Sequence, residues 1–336
     1  MRILQIGKYY FPAKGGIETQ LQHLSEGLVR SGDEVTVLCS ALKPTSSFET
    51  INGVQVIRKA YFGKLFSQPL SPTLPFTLFK IAKQFDVVHV HSPNPLVEFA
   101  VLCLLKKKPI VLSYHSDIVR QKVLKWIYKP FLNAFLEKTD VIVTASENVL
   151  IFSDTLKQFK DKCFVIPYGL DPNRLSLKSN DKILEIQSKH GKFILFVGRL
   201  VPYKGINYLI EAMGGVNAQL VLIGDGPLRS SLESQVQKLR LQNKVHFLGA
   251  IEGDDIRNAY YAACEIFTLP SINHSEAFGI VLLEAMSYGK PLVTTNLFSG
   301  VTHINTDGVT GLEVPPQDSS ALRSALQSLL NDSEKC

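Results

Sequence analysis

Two glutamates and two basic residues in the second half of the chain form the pattern with the clearest chemistry. Glu276 and Glu284 are eight positions apart, and Arg199 and Lys204 lie upstream, after a separate apolar run. Carboxylates accept hydrogen bonds from sugar hydroxyls, whereas guanidinium and ammonium groups bind phosphate oxygens. A sugar diphosphate needs both kinds of group, so the sequence predicts a nucleotide-sugar site with carboxylates and cations at opposite ends.

The two basic residues lie in one loop, which directly follows the strand-like run Phe193–Val197. Arg199 can donate two parallel hydrogen bonds to phosphate oxygens, and Lys204 supplies a point charge at the start of the next predicted helix. A cation is unfavourable at a helix N-terminus, which favours a ligand-binding role for Lys204 over a structural one.

Glu276 lies just ahead of a second predicted helix, and Glu284 lies further along it. The opening N–H groups of that helix, at Phe278, Gly279 and Ile280, can hold a phosphate. The alternative is that Glu276 only favours the helix start and Glu284 is a surface residue.

A glycine pair follows the first strand-like run of the chain. Gly15 and Gly16 precede a predicted helix that carries Glu18 in its first turn. Without a β-carbon, glycine allows backbone N–H groups to approach a diphosphate closely, and the helix N-terminus adds partial positive charge. The alternative is an ordinary turn, since neither a P-loop nor a full dinucleotide-binding fingerprint is present.

A polar loop follows the strand-like run Ile110–Leu112 and contains His115 and Asp117. These two side chains are expected to hydrogen-bond a sugar or to orient an attacking hydroxyl group. A structural His–Asp pair is the alternative.

No metal site is expected. His89, His91 and Asn94 form another polar edge, but no carboxylate cluster accompanies them. The five cysteines fall singly, without the two-residue spacing of metal or redox sites, which favours a reducing cytoplasm.

Apolar runs of strand length alternate with helical patterns along the whole chain. Because the runs are continuously apolar, they predict parallel strands that are covered on both faces. The runs are Ile3–Ile6, Val35–Leu38, Val87–Val90, Ile110–Leu112, Val141–Val143 and Phe164–Ile166, then Phe193–Val197, Leu220–Ile223, Val245–Leu248, Ile266–Leu269 and Leu292–Thr294. A turn-rich junction at 167–172 separates two doubly wound α/β domains, predicted as 1–167 and 168–336, with ligands bound in a cleft at the carboxyl ends of the strands.

Charge is distributed unevenly between the predicted domains. Residues 1–167 contain 21 Lys and Arg against 13 Asp and Glu, a net +8, whereas residues 168–336 contain 15 against 17, a net −2. The first domain therefore suits an anionic membrane surface, with the stretch Lys122–Lys138 lying on lipid. Ordinary solvated lysines, with apolar residues packed on the sheet, are the alternative.

No membrane-spanning or secretion segment is expected. The longest apolar run, Phe99–Leu105, has seven residues, and the N-terminus lacks a signal-peptide pattern. We expect a cytoplasmic protein, peripheral on the inner face of the membrane, with no nucleic-acid partner.

Taken together, these motifs resemble the retaining glycosyltransferases of family 4, which have the GT-B architecture of two facing Rossmann-like domains. The resemblance covers nearly the whole chain and rests on motifs in the family's order. These are Gly15-Gly16-x-Glu18, the Arg199 and Lys204 pair, and Glu276-x-Phe278-Gly279-Ile280 with Glu284. Within the family, the segment 114–122 resembles mannosyltransferases that build bacterial O-antigen from GDP-mannose.

The resemblance implies a role for each residue. Arg199 and Lys204 would hold the donor diphosphate, Glu276 and the 278–280 backbone would meet sugar and phosphate, and Glu284 would bind the ribose. Gly16 would let the first domain approach the diphosphate, and His115 would lie beside the transferred sugar, with Asp117 close by.

The implied reaction transfers mannose from GDP-mannose to a lipid-linked saccharide with retention and without a metal or other cofactor. The departing phosphate would take up the proton of the acceptor hydroxyl. A UDP-sugar donor, a nucleotide-sugar epimerase of the same architecture and a noncatalytic sugar-binding protein remain alternatives. Family members generally continue beyond the last helix with a segment that crosses back to the first domain, whereas this sequence stops at Cys336; we expect a truncated sequence or looser coupling of the domains.

Overall fold

The computed structural model describes residues 1–13, 15–65, 68–116, 122–177, 179–297 and 299–331, without the side chains of 64–65 and 122–127. The chain divides into two compact units, Met1–Tyr168 and Gly169–Cys336. Each is built around its own sheet.

The first unit contains an eight-stranded sheet in the order β10-β9-β8-β7-β1-β2-β4-β3, in which only the β3–β4 pair is antiparallel. Its strands are β1 (Arg2–Ile6), β2 (Glu34–Ser40), β3 (Ser47–Ile51), β4 (Val54–Lys59), β7 (Val87–Ser92), β8 (Ile110–Tyr114), β9 (Val141–Thr144) and β10 (Cys163–Val165), with β5 (Lys64–Leu65) and β6 (Gln68–Pro69) as a separate antiparallel pair. The helices are α1 (Gly16–Arg30), α2 (Thr73–Ile81), α3 (Pro95–Leu104), α4 (Lys122–Lys138) and α5 (Glu147–Phe152), with short 3₁₀ segments at Ala82–Gln84 and Leu156–Lys162.

Both faces of this sheet are apolar, as the continuous runs predict. In β2, Val35 and Val37 pack into one hydrophobic cluster, whereas Leu38 packs into another that also contains Leu4 and Val90. Successive side chains of a strand point to opposite faces, so the two clusters cover the two sides of the sheet.

The edge hairpin β3–β4 is absent from the sequence prediction. Asn52 and Gly53 connect its strands with φ values of 50° and 83°, which fits the turn favoured by an Asn-Gly pair in a two-residue hairpin. The exposed residues of β3 carry no apolar run, because this strand covers no core.

The second unit contains a six-stranded parallel sheet in the order β13-β12-β11-β14-β15-β16. Its strands are β11 (Phe193–Val197), β12 (Gln219–Ile223), β13 (Val245–Gly249), β14 (Ile266–Leu269), β15 (Leu292–Thr295) and β16 (Gly311–Val314). The helices are α6 (Asp181–His190), α7 (Ile206–Ala212), α8 (Arg229–Lys238), α9 (Asp254–Ala263), α10 (Ile280–Met286), α11 (Val301–Ile304) and α12 (Ser319–Asn331), with 3₁₀ turns at Pro172–Arg174, Pro202–Lys204 and Met213–Gly215.

Helix α4 decides between the two interpretations of the stretch Lys122–Lys138. Leu132 and Phe135 are buried in the core of the first unit, so for these two residues packing on the sheet is correct and contact with lipid is wrong. Phe131, on the same helix, is exposed and contacts Phe99 of α3 edge to face, with ring centroids 5.8 Å apart. Within the described residues, no helix combines the length and apolar character needed to cross a bilayer.

Candidate functional site

The motif residues of the second unit follow β11 and β14, the two neighbouring strands between which the order of the strands in the sheet reverses. The strand order runs outward from β11 through β12 on one side, and from β14 through β15 on the other. In open parallel sheets, ligands bind at such a switch point, outside the carboxyl ends of the strands. The loop with Arg199 and Lys204 follows β11, and the segment with Glu276 follows β14.

The Arg199 loop is fixed by backbone contacts with the loop that follows β12. Leu200 N–H donates to the Asp225 carbonyl at 3.0 Å. A β-carbon at Gly224 would lie only 2.0 Å from the Gly198 carbonyl oxygen, and Gly224 has a φ of 134°, so glycine is required there. The Arg199 side chain is exposed, and in the described part of the chain no carboxylate forms an ion pair with it.

The Lys204 turn packs against the segment after β14 in the same way. Ile272 N–H donates to the Tyr203 carbonyl at 2.8 Å. A β-carbon at Gly205, where φ is 66°, would lie 2.0 Å from the Pro270 carbonyl oxygen. This contact sets the position of Lys204 relative to the segment that carries Glu276.

Lys204 and Glu276 form a buried ion pair. Nζ of Lys204 lies 2.5 Å from Oε2 of Glu276, and the Ser271 hydroxyl donates to the same oxygen at 3.0 Å. The predicted arrangement, with carboxylates and cations at opposite ends of the site, is therefore wrong for this pair. The prediction that Lys204 lies at the start of the next helix is also wrong, because Lys204 ends a 3₁₀ turn and α7 begins two residues later, at Ile206.

The segment that leads into α10 is held by Gly300. Its N–H donates to the Ala277 carbonyl at 2.8 Å, and a β-carbon there would lie 2.7 Å from the Cα of Phe278. The Phe278 and Ile280 side chains are buried, so only their backbone groups are candidates for ligand contact. Gly279 caps α10 with a φ of 85°, in the left-handed region.

Glu284 lies inside α10 and is buried, so the surface alternative is wrong. The Tyr261 hydroxyl donates to its Oε2 at 2.6 Å, and Nη2 of Arg257 lies 3.7 Å from its Oε1. Burial raises the pKa of Glu284, while Arg257 and the Tyr261 hydrogen bond oppose the rise. Helix α9 thus supplies two residues around Glu284 that the sequence motifs do not include.

The first unit has a matching switch point between β1 and β7. The glycine pair follows β1, and α1 begins at Gly16. A β-carbon at Gly15 would lie 2.2 Å from Oε2 of Glu18, whereas one at Gly16 would meet no atom within 4 Å. The Glu18 carboxylate is the end of a flexible side chain and can move away, so packing within the described chain does not require glycine at either position.

His115 follows β8, the next strand beyond β7 in the sheet, and is buried. Its Nε2 lies 3.0 Å from Nδ1 of His91, and its Nδ1 is hydrogen-bonded to the Tyr168 hydroxyl. Burial lowers its pKa to about 3. Asp117, predicted beside it, lies outside the described residues.

Sequence motifs missed the residues that contact the motif residues from distant elements. These are Gln5, Tyr168, Arg257 and Tyr261. One signal was available for Gln5: it interrupts an otherwise apolar strand, and such a buried polar residue needs a partner. Among the described residues, no group of three or more His, Cys, Asp and Glu side chains is placed to hold a metal ion.

Comparison with known families places the two units separately. Residues 14–174 match the model described as Glycosyltransferase Family 4, and residues 179–336 match the model described as Glycosyl transferases group 1.

Curated proteins match along nearly the full chain. D-rhamnosyltransferase WbpZ of Pseudomonas aeruginosa is 36% identical over 97% of this chain and 86% of its own length. O-antigen chain mannosyltransferase C of Escherichia coli is 33% identical over 99% of this chain and 90% of its own. Among solved structures, sucrose-phosphate synthase from Thermosynechococcus elongatus has a TM-score of 0.83 at 24% identity and covers 99% of this chain and 90% of its own. That likeness shows the fold, which is GT-B.

Proposed function

We propose, from the premise that this chain belongs to glycosyltransferase family 4, that it transfers mannose from GDP-mannose to a lipid-linked saccharide during the synthesis of a cell-surface polysaccharide. That it is a glycosyltransferase follows from its family. The observation that carries the proposed donor site is the buried Lys204–Glu276 pair, together with exposed Arg199 in the same loop as Lys204, at the switch point of the second sheet.

Arg199 supplies the charge that the donor diphosphate needs. Lys204 is already neutralised by Glu276 at 2.5 Å, so the pair contributes little net charge, whereas the exposed guanidinium of Arg199 can form two parallel bonds to phosphate oxygens. Lys204 then donates its remaining N–H groups to the leaving phosphate. Glu276, anchored by Ser271, accepts hydrogen bonds from the hydroxyls of the sugar.

The glycine at 16 fits a phosphate contact from the first unit. Apart from its chain neighbours and the backbone of its own helix, no atom of the described residues lies within 4 Å of the place where its side chain would be, so the space there is open to a ligand. Gly16 is also the first residue of α1, a helix of 15 residues, whose N-terminus carries partial positive charge. Glu284 holds the ribose hydroxyls through the lone pairs that Tyr261 and Arg257 leave available.

The reaction keeps the anomeric configuration. The bond between the anomeric carbon and the phosphate oxygen breaks, and the acceptor oxygen bonds to the same face of that carbon. The acceptor's proton moves to the departing phosphate oxygen, giving GDP and the lengthened saccharide. Arg199 and Lys204 stabilise the charge that develops on the phosphate.

The relatives' names support the choice of sugar. One is a D-rhamnosyltransferase and the other a mannosyltransferase of an O-antigen chain. D-rhamnose and mannose share the same ring configuration and differ only at the carbon outside the ring. A mannose-configured donor is the common element.

A lipid-linked acceptor requires the first unit to reach the membrane surface from the cytoplasmic side. Four phenylalanines on α2, α3 and α4 are exposed, namely Phe76, Phe79, Phe99 and Phe131. Helix α3 packs on both α2 and α4. Exposed lysines accompany these phenylalanines on and after the same helices, including Lys80 and Lys129. Aromatic rings with lysines around them suit an anionic bilayer.

The test is a panel of nucleotide sugars incubated with the purified chain, with and without a lipid-linked oligosaccharide, and analysed by mass spectrometry. We expect acceptor-dependent release of GDP from GDP-mannose and a product heavier by one hexose. Transfer only from UDP-sugars would overturn the donor assignment. Formation of an epimer from the donor alone would instead support an epimerase, and binding without nucleotide release would support a noncatalytic receptor.

A further inference from the structure

Five polar residues interrupt the apolar pattern of three neighbouring strands in the first unit. They are Gln5 of β1, His89 and His91 of β7, Ser113 of β8, and His115 directly after β8. In the sheet register, Gln5 pairs with His89, and His91 pairs with Ser113. The polar residues that share a strand are two apart, so they lie on the same face of the sheet.

Three of these residues form one hydrogen-bonded chain that ends at Tyr168. Oε1 of Gln5 lies 2.9 Å from Nε2 of His91, and Nδ1 of His91 lies 3.0 Å from Nε2 of His115. Nδ1 of His115 is hydrogen-bonded to the Tyr168 hydroxyl. The rings of His91 and His115 are stacked, with centroids 5.2 Å apart and planes 16° from parallel.

The chemistry of neutral imidazole fixes the direction of the protons. Each neutral ring has one N–H donor and one bare nitrogen acceptor. Because the Gln5 carbonyl oxygen can only accept, Nε2 of His91 carries its proton, and Nδ1 of His91 must accept. His115 then donates from Nε2, and its Nδ1 accepts from the Tyr168 hydroxyl. One donor and one acceptor meet at every step.

We propose that Gln5, His91 and Tyr168 are positioning residues that hold His115 neutral, protonated on Nε2, and fixed in orientation at the carboxyl end of β8, for contact with the transferred sugar. The inference rests on the proposed function for its role in transfer. The arrangement itself rests on the contacts within the first unit.

The surroundings of the rings keep them uncharged. Burial lowers the pKa of His89 to about 4 and that of His115 to about 3, and it lowers the pKa of His91 well below its usual range. The charge of Lys8, and that of His89 whenever it is protonated, lowers the pKa of His115 further. Burial lowers the pKa of Lys8, and the carboxylates of Glu18 and Glu98 oppose that change. Burial also raises the pKa of Tyr168, so its hydroxyl keeps its proton.

The consequence for the reaction is that His115 does not act as an acid or a base. Both of its ring nitrogens are hydrogen-bonded within the first unit, and charging the ring would place a second N–H on Nδ1, directed at the Tyr168 hydroxyl that otherwise donates to it. This agrees with a reaction in which the departing phosphate takes the acceptor's proton. The ring of His115 instead provides a surface and an N–H dipole that are both fixed in orientation.

The tautomer can be measured directly by nitrogen NMR of the chain labelled at its eight histidines, with His91→Asn and His115→Asn used for assignment. We expect His115 to be protonated on Nε2 alone and to stay neutral from pH 8 down to about 5. Protonation on Nδ1, an average of both tautomers, or a charged ring within that range would overturn the proposal. This measurement needs no enzymatic activity, so it stands even if no donor in the panel is used.

Variants then connect the tautomer with turnover. Tyr168→Phe removes the donor to Nδ1, while Gln5 and His91 still keep the proton of His115 on Nε2. We therefore expect the wild-type tautomer with a shifted Nδ1 resonance, and a roughly tenfold fall in kcat with donor KM nearly unchanged, the effect of one net hydrogen bond. Gln5→Leu removes the acceptor that sets the direction of the protons, so mixed tautomers of His115 are expected. His89→Gln is the matched control, because His89 is not part of the hydrogen-bonded chain from Gln5 to Tyr168. The variant keeps an amide nitrogen near Ser113 in place of the ring nitrogen. An Nδ1 resonance in Tyr168→Phe identical to that of the wild type would contradict the role of Tyr168. If that variant does not fold, a wild-type tautomer in Gln5→Leu would contradict the role of Gln5.

Discussion

Nζ of Lys204 lies 2.5 Å from Oε2 of Glu276, and each residue is only 7% exposed. A buried ion pair is expensive to break from one side, because the remaining charge has no partner. The pair therefore has a structural role as well as the proposed chemical one, and experiments must separate the two.

We expect Lys204→Met to lose stability and activity together. The unpaired Glu276 carboxylate should cost about 3–5 kcal/mol, seen as a lower denaturation midpoint. In the double variant Lys204→Met/Glu276→Gln, no charge is left unpaired, so most of the stability should return while turnover stays low. If the double variant also regained turnover, the pair would be structural only.

Arg199→Ala is the cleaner test of phosphate binding. Its exposed side chain forms no ion pair within the described chain, so the denaturation midpoint should not change. Turnover should fall roughly 10²–10³-fold, as for other groups that stabilise transition-state charge. Arg240→Ala, at an exposed arginine of the same unit, is the control and should keep wild-type turnover. Equal effects of the two variants on kcat would argue against a role for Arg199.

Gly16→Ala should separate binding from folding. The open space at this position and its helical location predict a stability equal to or up to about 1 kcal/mol above that of the wild type. The added methyl group would nevertheless obstruct a diphosphate, so the Kd for GDP measured by calorimetry should rise at least about tenfold. Gly27→Ala lies on the same helix, where a β-carbon would meet only Arg30 at 3.9 Å, and it should bind GDP as the wild type does. Unchanged affinity in Gly16→Ala would exclude this contact.

Glu98 should make stability depend on pH. Burial raises its pKa above the ordinary value of 4.5. At pH values between the unfolded and the folded pKa, the folded chain therefore holds a proton that the unfolded chain releases. The stability from this proton is complete below the unfolded pKa and is lost as pH rises through the folded pKa. Glu98→Gln keeps the oxygen that accepts from Ser92 and from the Asn94 N–H, each at 2.7 Å.

This variant should therefore be more stable than the wild type at neutral pH, and the difference should shrink as pH falls toward 4.5. Urea titrations at several pH values would measure it. Glu137→Gln, at an exposed glutamate of α4, is the matched control. A constant difference across the pH range would show that Glu98 is not the group responsible.

Membrane contact should depend on the exposed rings of α2, α3 and α4. Phe76→Ser/Phe79→Ser should weaken sedimentation with vesicles of phosphatidylglycerol and phosphatidylcholine about tenfold or more, since each buried ring contributes on the order of 1.5–3 kcal/mol. Phe48→Ser changes a similarly exposed ring on the edge strand β3 and should have no effect. Binding that is equally weak with and without anionic lipid would refute the proposed surface.

The sequence predicted the strands that carry the site because their apolar runs are continuous. It placed His115 and Arg199 correctly after two of them and Glu276 correctly ahead of a helix. It missed β3 and β16 because these strands bury little, and it missed β4 because its buried residues alternate with more exposed ones instead of forming a long continuous run. The partners of the motif residues could not be predicted, since contacts such as Tyr261 with Glu284 join elements whose proximity depends on packing. The ion pair of Lys204 and Glu276 required the strand order, which brings β11 next to β14.

Gly205 shows how this spacing is maintained. Its Cα lies so close to the Pro270 carbonyl that any side chain would collide, so main chain meets main chain between the Lys204 turn and the Glu276 segment. Substitutions in neighbouring side chains leave that distance alone. The separation between ammonium and carboxylate is therefore set by the main chain, independently of which side chains cover the two segments.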